Sequence, residues 1–384
     1  MFVTQHKCKI TGLLAVLFLL INTTVASTPR LNDDGPSIKD QIAAVFERTS
    51  SSTTEEHFTA ILDECERISA LPDIHVSQSE YLATLTAWSY RRRGECRFVA
   101  AEAMFTESES LTEGTEALFL NAVEDFSAAI EGNNKPERCY RYRAMAACAL
   151  GELEKAISDF TEAIALDPEH FSSFFNRAEL YLATDDFQLA INDYNVVLEE
   201  NSADLQALTG RAHALSGLNR LDEAMKDYTA VMILQSNDPV AIINRGDCFY
   251  AMGEFDLALA DYKKSISIEP TPDNCRRAAW LTATCPVSKF HEPDYSVEMA
   301  QRALELGGET PDVLDTLAAS HASNGDFESA TESQLRAIEI FESGLPTSVV
   351  SGDELQQRLT LYESERPFRT TMSESTGTET GLDR

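Results

Sequence analysis

Residues 244–270, NRGDCFYAMGEFDLALADYKKSISIEP, align with residues 176–202, NRAELYLATDDFQLAINDYNVVLEENS, at an offset of 68, twice 34. Intermediate copies fall where that halving requires them. Arg143-Ala144, Arg177-Ala178, Arg211-Ala212 and Arg245-Gly246 follow one another in 34-residue steps with no insertion. A fixed period of this length is the strongest constraint in the chain, because each copy is too small to bury its own apolar face and must stack on its neighbours. Small residues keep position eight of the copy (Gly94, Ala144, Ala178, Ala212, Gly246, Ala279, Ala318). They also keep position twenty (Ala122, Ala156, Ala190, Ala224, Ala258, Ala330, with Ser296 the exception), and position twenty-four carries Phe126, Phe160, Tyr194, Tyr228 and Tyr262. Small side chains let two helices approach closely, and the ring fills the space toward the next copy.

On these residues the chain resembles the tetratricopeptide-repeat family, in which each 34-residue unit is an antiparallel helix pair. The resemblance implies an all-α fold, a right-handed superhelical solenoid of helix hairpins with N- and C-terminal capping helices. It covers residues 87–343 in about seven units, whose first helices are expected to begin near residues 87, 137, 171, 205, 239, 272 and 311. Turns are expected at Gly151-Glu152, Asp185-Asp186, Gly253-Glu254 and Gly325-Asp326, and helix ends at Pro168 and Pro270. The family's tryptophan at position four is absent, and two units are stretched. Arg93 to Arg143 spans 50 residues, 16 beyond the period, with the excess in 102–117; the sixth unit carries an insertion at 285–296. Residues 37–86 are expected to form an N-terminal helical cap and 344–368 a C-terminal capping helix, with Leu355, Leu359 and Tyr362 on one stripe. The polar end, 369–384, lacks an apolar face and is expected to be disordered. From CRRAAWLTATCP onward the sequence is similar to the end of exported bacterial arrays of this family.

Residues 1–26 read as a secretory leader: Lys7 and Lys9, an apolar run of 12 residues from Ile10 to Ile21, then small residues ending at Ala26. A spanning helix needs about 20 apolar residues, so cleavage and export to a periplasmic or extracellular setting are expected, with a linker at 27–36 and no stable membrane span. Acids outnumber bases 63 to 31, a net charge of -32, which repels nucleic acid and anionic lipid and excludes nucleic-acid binding as a function class. Eight cysteines include Cys8 in the leader, leaving Cys65, Cys96, Cys139, Cys148, Cys248, Cys275 and Cys285. An odd number at unlike spacings is no disulfide framework, and most are expected as small buried helix residues, with one or two bridges left open.

Against this acidic background the stretch SYRRRGECRF, residues 89–98, concentrates four arginines. One belongs to a pattern. Position seven is Arg93, Arg143, Arg177, Arg211 and Arg245 in the first five units, and position twenty-three of the same units is Asp125, Asp159, Asp193, Asp227 and Asp261. Units six and seven lose both together, with Ala278 and Met299, then Leu317 and Ser333. Joint presence and joint absence predict an Arg–Asp ladder within or between adjacent units.

Arg91 and Arg92 stand instead at positions that the resemblance places on the concave groove, together with positions two, nine, twelve and thirteen. That register collects Trp88, Arg138, Arg141, Tyr142, Phe175, Asn176, Asn244, Tyr250, Arg276, Arg277 and Trp280. The expected function is a non-enzymatic scaffold that docks a protein or peptide segment in this groove, the arginines and rings reading acidic groups. The competing expectation is that these arginines are matched by the molecule's own acids, including the inserted TESESLTEGTE. Asn176 and Asn244 occupy the asparagine position of a carboxylate clamp known in the family, but Gln206 and Asp273 stand where that clamp has lysine.

No phosphate-binding glycine loop, nucleophile elbow, paired metal-binding cysteines or zinc-binding histidine helix is present, so no cofactor and no metal are expected. The alternatives to a docking scaffold are a self-associating envelope module, in which another copy supplies the acidic segments 107–116 or 373–380, and a thiol-dependent enzyme using Cys285 or His213.

Overall fold

The structure, a computed structural model, describes residues 36–108, 110–344 and 350–371. The leader, the linker up to residue 35 and the polar end beyond residue 371 lie outside the described residues. Among the described residues there are seventeen α-helices and no strand. We number them α1 to α17 in chain order. They fall into two compact units, Met1–Pro168 and Glu169–Arg384.

In the first unit α1 (Ile38–Thr49) and α2 (Glu55–Ser69) pack on α3 (Val76–Ser108), which pairs with α4 (Glu113–Glu131), and α5 (Pro136–Ala149) pairs with α6 (Leu153–Leu166). The boundary expected at 86/87 falls inside α3, a single helix of 33 residues. Tyr81, Leu82, Leu85 and Trp88 sit in one core with Phe58 and Ile61, while Phe98 and Ala101 sit in the next with Phe119 and Phe126. One rod of about 50 Å therefore serves both cap and first repeat. Nor is the 102–117 excess a loop. Most of it extends the hairpin, carrying α3 to Ser108 and starting α4 at Glu113, where Thr112 caps the helix by accepting from the Thr115 N–H.

The second unit holds the pairs α7 (Phe171–Ala183) with α8 (Phe187–Glu200), α9 (Leu205–Gly217) with α10 (Leu221–Leu234), and α11 (Pro239–Ala251) with α12 (Phe255–Ile268). They are followed by α13 (Pro272–Thr284) with α14 (Pro293–Gly307), and α15 (Pro311–Ser323) with α16 (Phe327–Glu342), closed by α17 (Gly352–Glu363). Asp238, Thr271 and Thr310 cap their helices from the side chain, each followed by a proline at the first helical position, where its missing N–H costs nothing. Every hairpin from α5 to α12 turns through a left-handed residue at the same place in the repeat: Gly151, Asp185, Asn219 and Gly253. Asp and Asn tolerate that conformation better than other residues with a Cβ.

The small positions are buried as the period requires, and the rings of position twenty-four lie against them. A Cβ on Gly246 would stand 2.8 Å from the Tyr262 ring and force a shift, whereas one on Gly94 would stand 3.0 Å from Phe126 and require the ring to give by a few tenths of an ångström. The start of the expected disordered end is ordered. Thr370 donates its backbone N–H to the Thr284 carbonyl at 2.9 Å, and an Arg369 guanidinium N–H donates to the Ala283 carbonyl at 2.7 Å. These contacts anchor residues 369–371 along the end of α13.

All five ladder rungs form within their repeats as two-pronged guanidinium–carboxylate pairs. Arg93 Nη2 lies 2.7 Å from Asp125 Oδ1, and Arg143 Nε lies 2.7 Å from Asp159 Oδ2. Arg177 Nε and Nη2 reach Asp193 at 2.7 and 2.8 Å, and the Arg211–Asp227 and Arg245–Asp261 pairs repeat the geometry. The remaining amino group ties a rung backward, Arg143 to Ser127 at 2.9 Å and Arg211 to Asn195 at 2.7 Å. Hydrogen bonds donated to Asp193 hold the Arg177 guanidinium above its ordinary pKa. Truncating one partner leaves the other desolvated and alone, a cost on the order of 3 kcal/mol. Arg177→Ala and Asp193→Ala are expected to lower Tm singly, and the double variant to lose much less than their sum; additive losses in thermal melts would mean that the two residues do not act as a pair.

Candidate functional site

The register that gathered the arginines is met by the structure in two separate places, one in each unit. In Met1–Pro168 the arginine-rich stretch closes on its own acid, Glu95, which is buried. Arg91 Nη1 lies 2.5 Å from Glu95 Oε1 and its Nε donates to Asn134 Oδ1 at 3.1 Å; Arg92 pairs with the other carboxylate oxygen, and Arg138 Nε stands 2.9 Å from Oε1. Three guanidiniums thus share one carboxylate. Arg92 also lies over the Phe58 ring at 5.6 Å and Arg138 over Tyr142 at 5.5 Å, and Tyr142 stacks on Phe126 at 5.5 Å. Arg97 joins Glu55 and Asp125, and Arg141 reaches Asp167 at 3.2 Å.

Two residues expected on the groove wall are interior here. Arg91 is 2% exposed, because Glu95 and Asn134 draw its head inward, and Trp88 packs edge-to-face on Phe58 in the core of the cap. Arg92 and Arg138 remain partly open, with side chains 33% and 37% exposed. Among the described residues the acid that pairs with the knot is Glu95, inside the motif, and not one from the inserted acidic stretch.

In Glu169–Arg384 the helices α7, α9, α11 and α13 line a cleft of about 1420 Å³. Asn244 and Arg277 are brought to it, whereas Phe175 packs edge-to-face on Tyr194, Asn176 is half-buried on α7, and Tyr250 packs on Phe255. Arg276 and Arg277 both pair with Asp273, at 3.3 and 2.9 Å, and Arg277 pairs with Asp247 as well. Burial pushes the Asp273 carboxyl up, but the two arginines outweigh it and hold the group below its ordinary pKa. Trp280, expected on the groove wall, is buried. The Phe368 ring lies 5.8 Å away, and the guanidinium of Arg358 covers both rings at 4.9 and 4.8 Å. Arg358 comes from α17 and pairs with the buried Asp315, which also accepts from the Gln334 amide at 2.9 Å. No sequence repeat signalled this junction, since its arginine lies outside the repeats.

The cleft also contains residues that the sequence reading passed over. Glu179, Leu182, Ala183 and Ile243 occupy the groove positions of their repeats, from which only arginines, asparagines and rings are expected as contacts. His213 lies in the wall with its ring 2.9 Å from the Asn244 amide and beside Tyr228. Burial lowers its pKa to about 4.

The seven described cysteines are free thiols, five of them buried. Burial raises the Cys285 thiol above its ordinary pKa, which keeps it protonated and a poor nucleophile. Among the described residues no group of three histidines, cysteines or carboxylates could hold a metal ion, and no helix is long and apolar enough to cross a membrane.

Repeated antiparallel hairpins of this form define a helical-repeat array. Models of the tetratricopeptide repeat match residues 137–170 and 239–272, which bracket the uninterrupted 34-residue run, so these two segments are tetratricopeptide repeats. No curated protein matches the sequence. Among solved structures it is similar to that of Pseudomonas aeruginosa pilF, at 18% identity and a TM-score of 0.47, over 61% of this chain and 100% of that one. A tetratricopeptide repeat protein from Parabacteroides merdae is similar at 18% identity and a TM-score of 0.40, over 74% and 98%. YrrB, described as having an unusual peptide-binding site, is similar at 21% identity and a TM-score of 0.41, over 50% and 97%.

The histidine gives the site a pH signature. Its pKa is about 4 in the fold and 6.5 in a free chain, so the unfolded state binds the extra proton between those values. Native stability therefore falls as pH drops from 6.5 toward 4, by an amount on the order of 3 kcal/mol, and His213 adds no slope above that window. His213→Gln is expected to flatten this part of the pH–Tm curve relative to the parent; identical curves would mean that the ring is protonated freely in the folded state.

Proposed function

We propose that this protein is a non-enzymatic docking scaffold and that the arginine knot of Met1–Pro168 reads an acidic group on its partner. The observation that carries this reading is the stoichiometry of the knot: Arg91, Arg92 and Arg138 surround Glu95 alone, so one carboxylate faces three guanidiniums. Arg91 is satisfied internally. Arg92 and Arg138 keep unused donors on a partly open surface, each laid over an aromatic ring that fixes its plane. A carboxylate arriving there completes the charge balance, and the partly exposed Tyr142 ring offers flat apolar surface beside it. In a chain of net charge -32, such a local positive spot orients an acidic partner rather than adding a general attraction. The leader-like first 26 residues support an exported setting for this encounter, periplasmic or extracellular.

A labelled twelve-residue peptide rich in Asp and Glu is the direct probe, with its Asn/Gln counterpart as the neutral control. The acidic peptide is expected to bind the parent and to lose about tenfold in affinity on Arg92→Gln combined with Arg138→Gln, with unchanged melting. Equal binding of the neutral peptide, or equal binding by the double variant, would remove the knot as a reader of acids.

A further inference from the structure

The cleft of Glu169–Arg384 has the opposite polarity. Its walls present the carboxylates of Glu179, Asp185, Glu269 and Asp273 against a single guanidinium, that of Arg277. Arg277 is already committed to Asp247 and Asp273. Among the described residues no cation pairs with Glu179 or Glu269; Glu179 accepts only from the Tyr194 hydroxyl, and the Glu269 side chain is exposed. The neutral His213 ring and the Asn244 amide satisfy each other and leave the wall between them uncharged. Between the carboxylates run Leu182, Val240 and Ile243, and Val240 is 55% exposed although it faces a cavity of about 1420 Å³. An open apolar strip bordered by the carboxylates of Glu179 and Glu269 is complementary to a chain segment in which Lys or Arg alternates with apolar residues.

We infer that this cleft is a second docking site, for a basic, apolar-interspersed segment of a partner protein. It concerns a surface in a different unit from the arginine knot, and neither site depends on the other. The apolar residues of the segment would cover Val240 and Ile243 while its ammonium or guanidinium groups meet Glu179 and Glu269. Attraction to a strongly acidic protein is not by itself docking, so the site must be distinguished from the general surface.

Three labelled twelve-residue peptides serve as probes, with leucine alternating with lysine, with serine or with glutamate, measured by fluorescence anisotropy at low and moderate salt. The lysine peptide is expected to bind and the glutamate peptide not. Its affinity is expected to fall about tenfold on Glu179→Gln combined with Glu269→Gln, and to fall similarly on Val240→Trp, which fills the cleft without changing charge. Glu305→Gln with Glu328→Gln removes the same charge from exposed positions outside the cleft and is expected to leave binding within a factor of about two. Equal losses in both charge-removing pairs, or no loss in Val240→Trp, would reduce the binding to nonspecific attraction and overturn the inference. Val240-sensitive binding of the serine or glutamate peptide at the strength of the lysine peptide would leave a docking cleft but overturn its preference for cations. None of these outcomes bears on the knot, whose test uses Arg92 and Arg138.

Discussion

The two-pronged pair between the arginine at position seven and the aspartate at position twenty-three sets the geometry on which the rest of each hairpin depends. It locks the two helices of a repeat at one height, so that the alanines of positions eight and twenty meet and the ring of position twenty-four closes over them. A planar guanidinium does this better than an ammonium because both prongs fix its orientation. Its third amino group reaches back to Ser127 or Asn195, joining a rung to the repeat before it. The pair adds little net stability over a well-packed apolar alternative, but it penalises any slip of register, since a slip strands a desolvated charge.

That use of arginine explains the surface. With 31 basic residues against 63 acids, a chain that places five arginines in rungs and several more in the knot has few cations left for its exterior. The ladder ends where repeats six and seven give up both partners, and there the cap supplies a substitute. Arg358 crosses from α17 to the buried Asp315, and its outer face carries Trp280 and Phe368. A tryptophan that the repeat register placed on an open wall thus becomes part of the closure of the array.

The candidate sites follow from how each unit balances its charges. Around Glu95 there are more guanidiniums than carboxylates; along the cleft of the second unit the excess is carboxylate. Cys285 lies in neither place, its thiol raised by burial, and His213 in the cleft wall is neutral well below physiological pH. On the two proposals made above, the two places would recognise opposite charges.

Sequence alone determined the hairpins, their turns, the small-residue contacts and the ladder, because each is enforced by a short-range rule repeated every 34 residues, and repetition makes a weak local signal unmistakable. It also listed Glu95 inside the arginine stretch without revealing that this acid faces three guanidiniums. Arg138 lies 43 residues further on, and no period links the two. Tertiary structure decided the non-repeating features. It made the cap and first repeat one continuous helix across 86/87, since no residue there breaks it and both ends find a core. It turned Arg91, Trp88 and Trp280 inward, and it gathered Glu179, Val240 and Glu269 around one cavity. Burial and charge balance are sums over neighbours from different helices, and the chain order holds those neighbours apart until the helices pack.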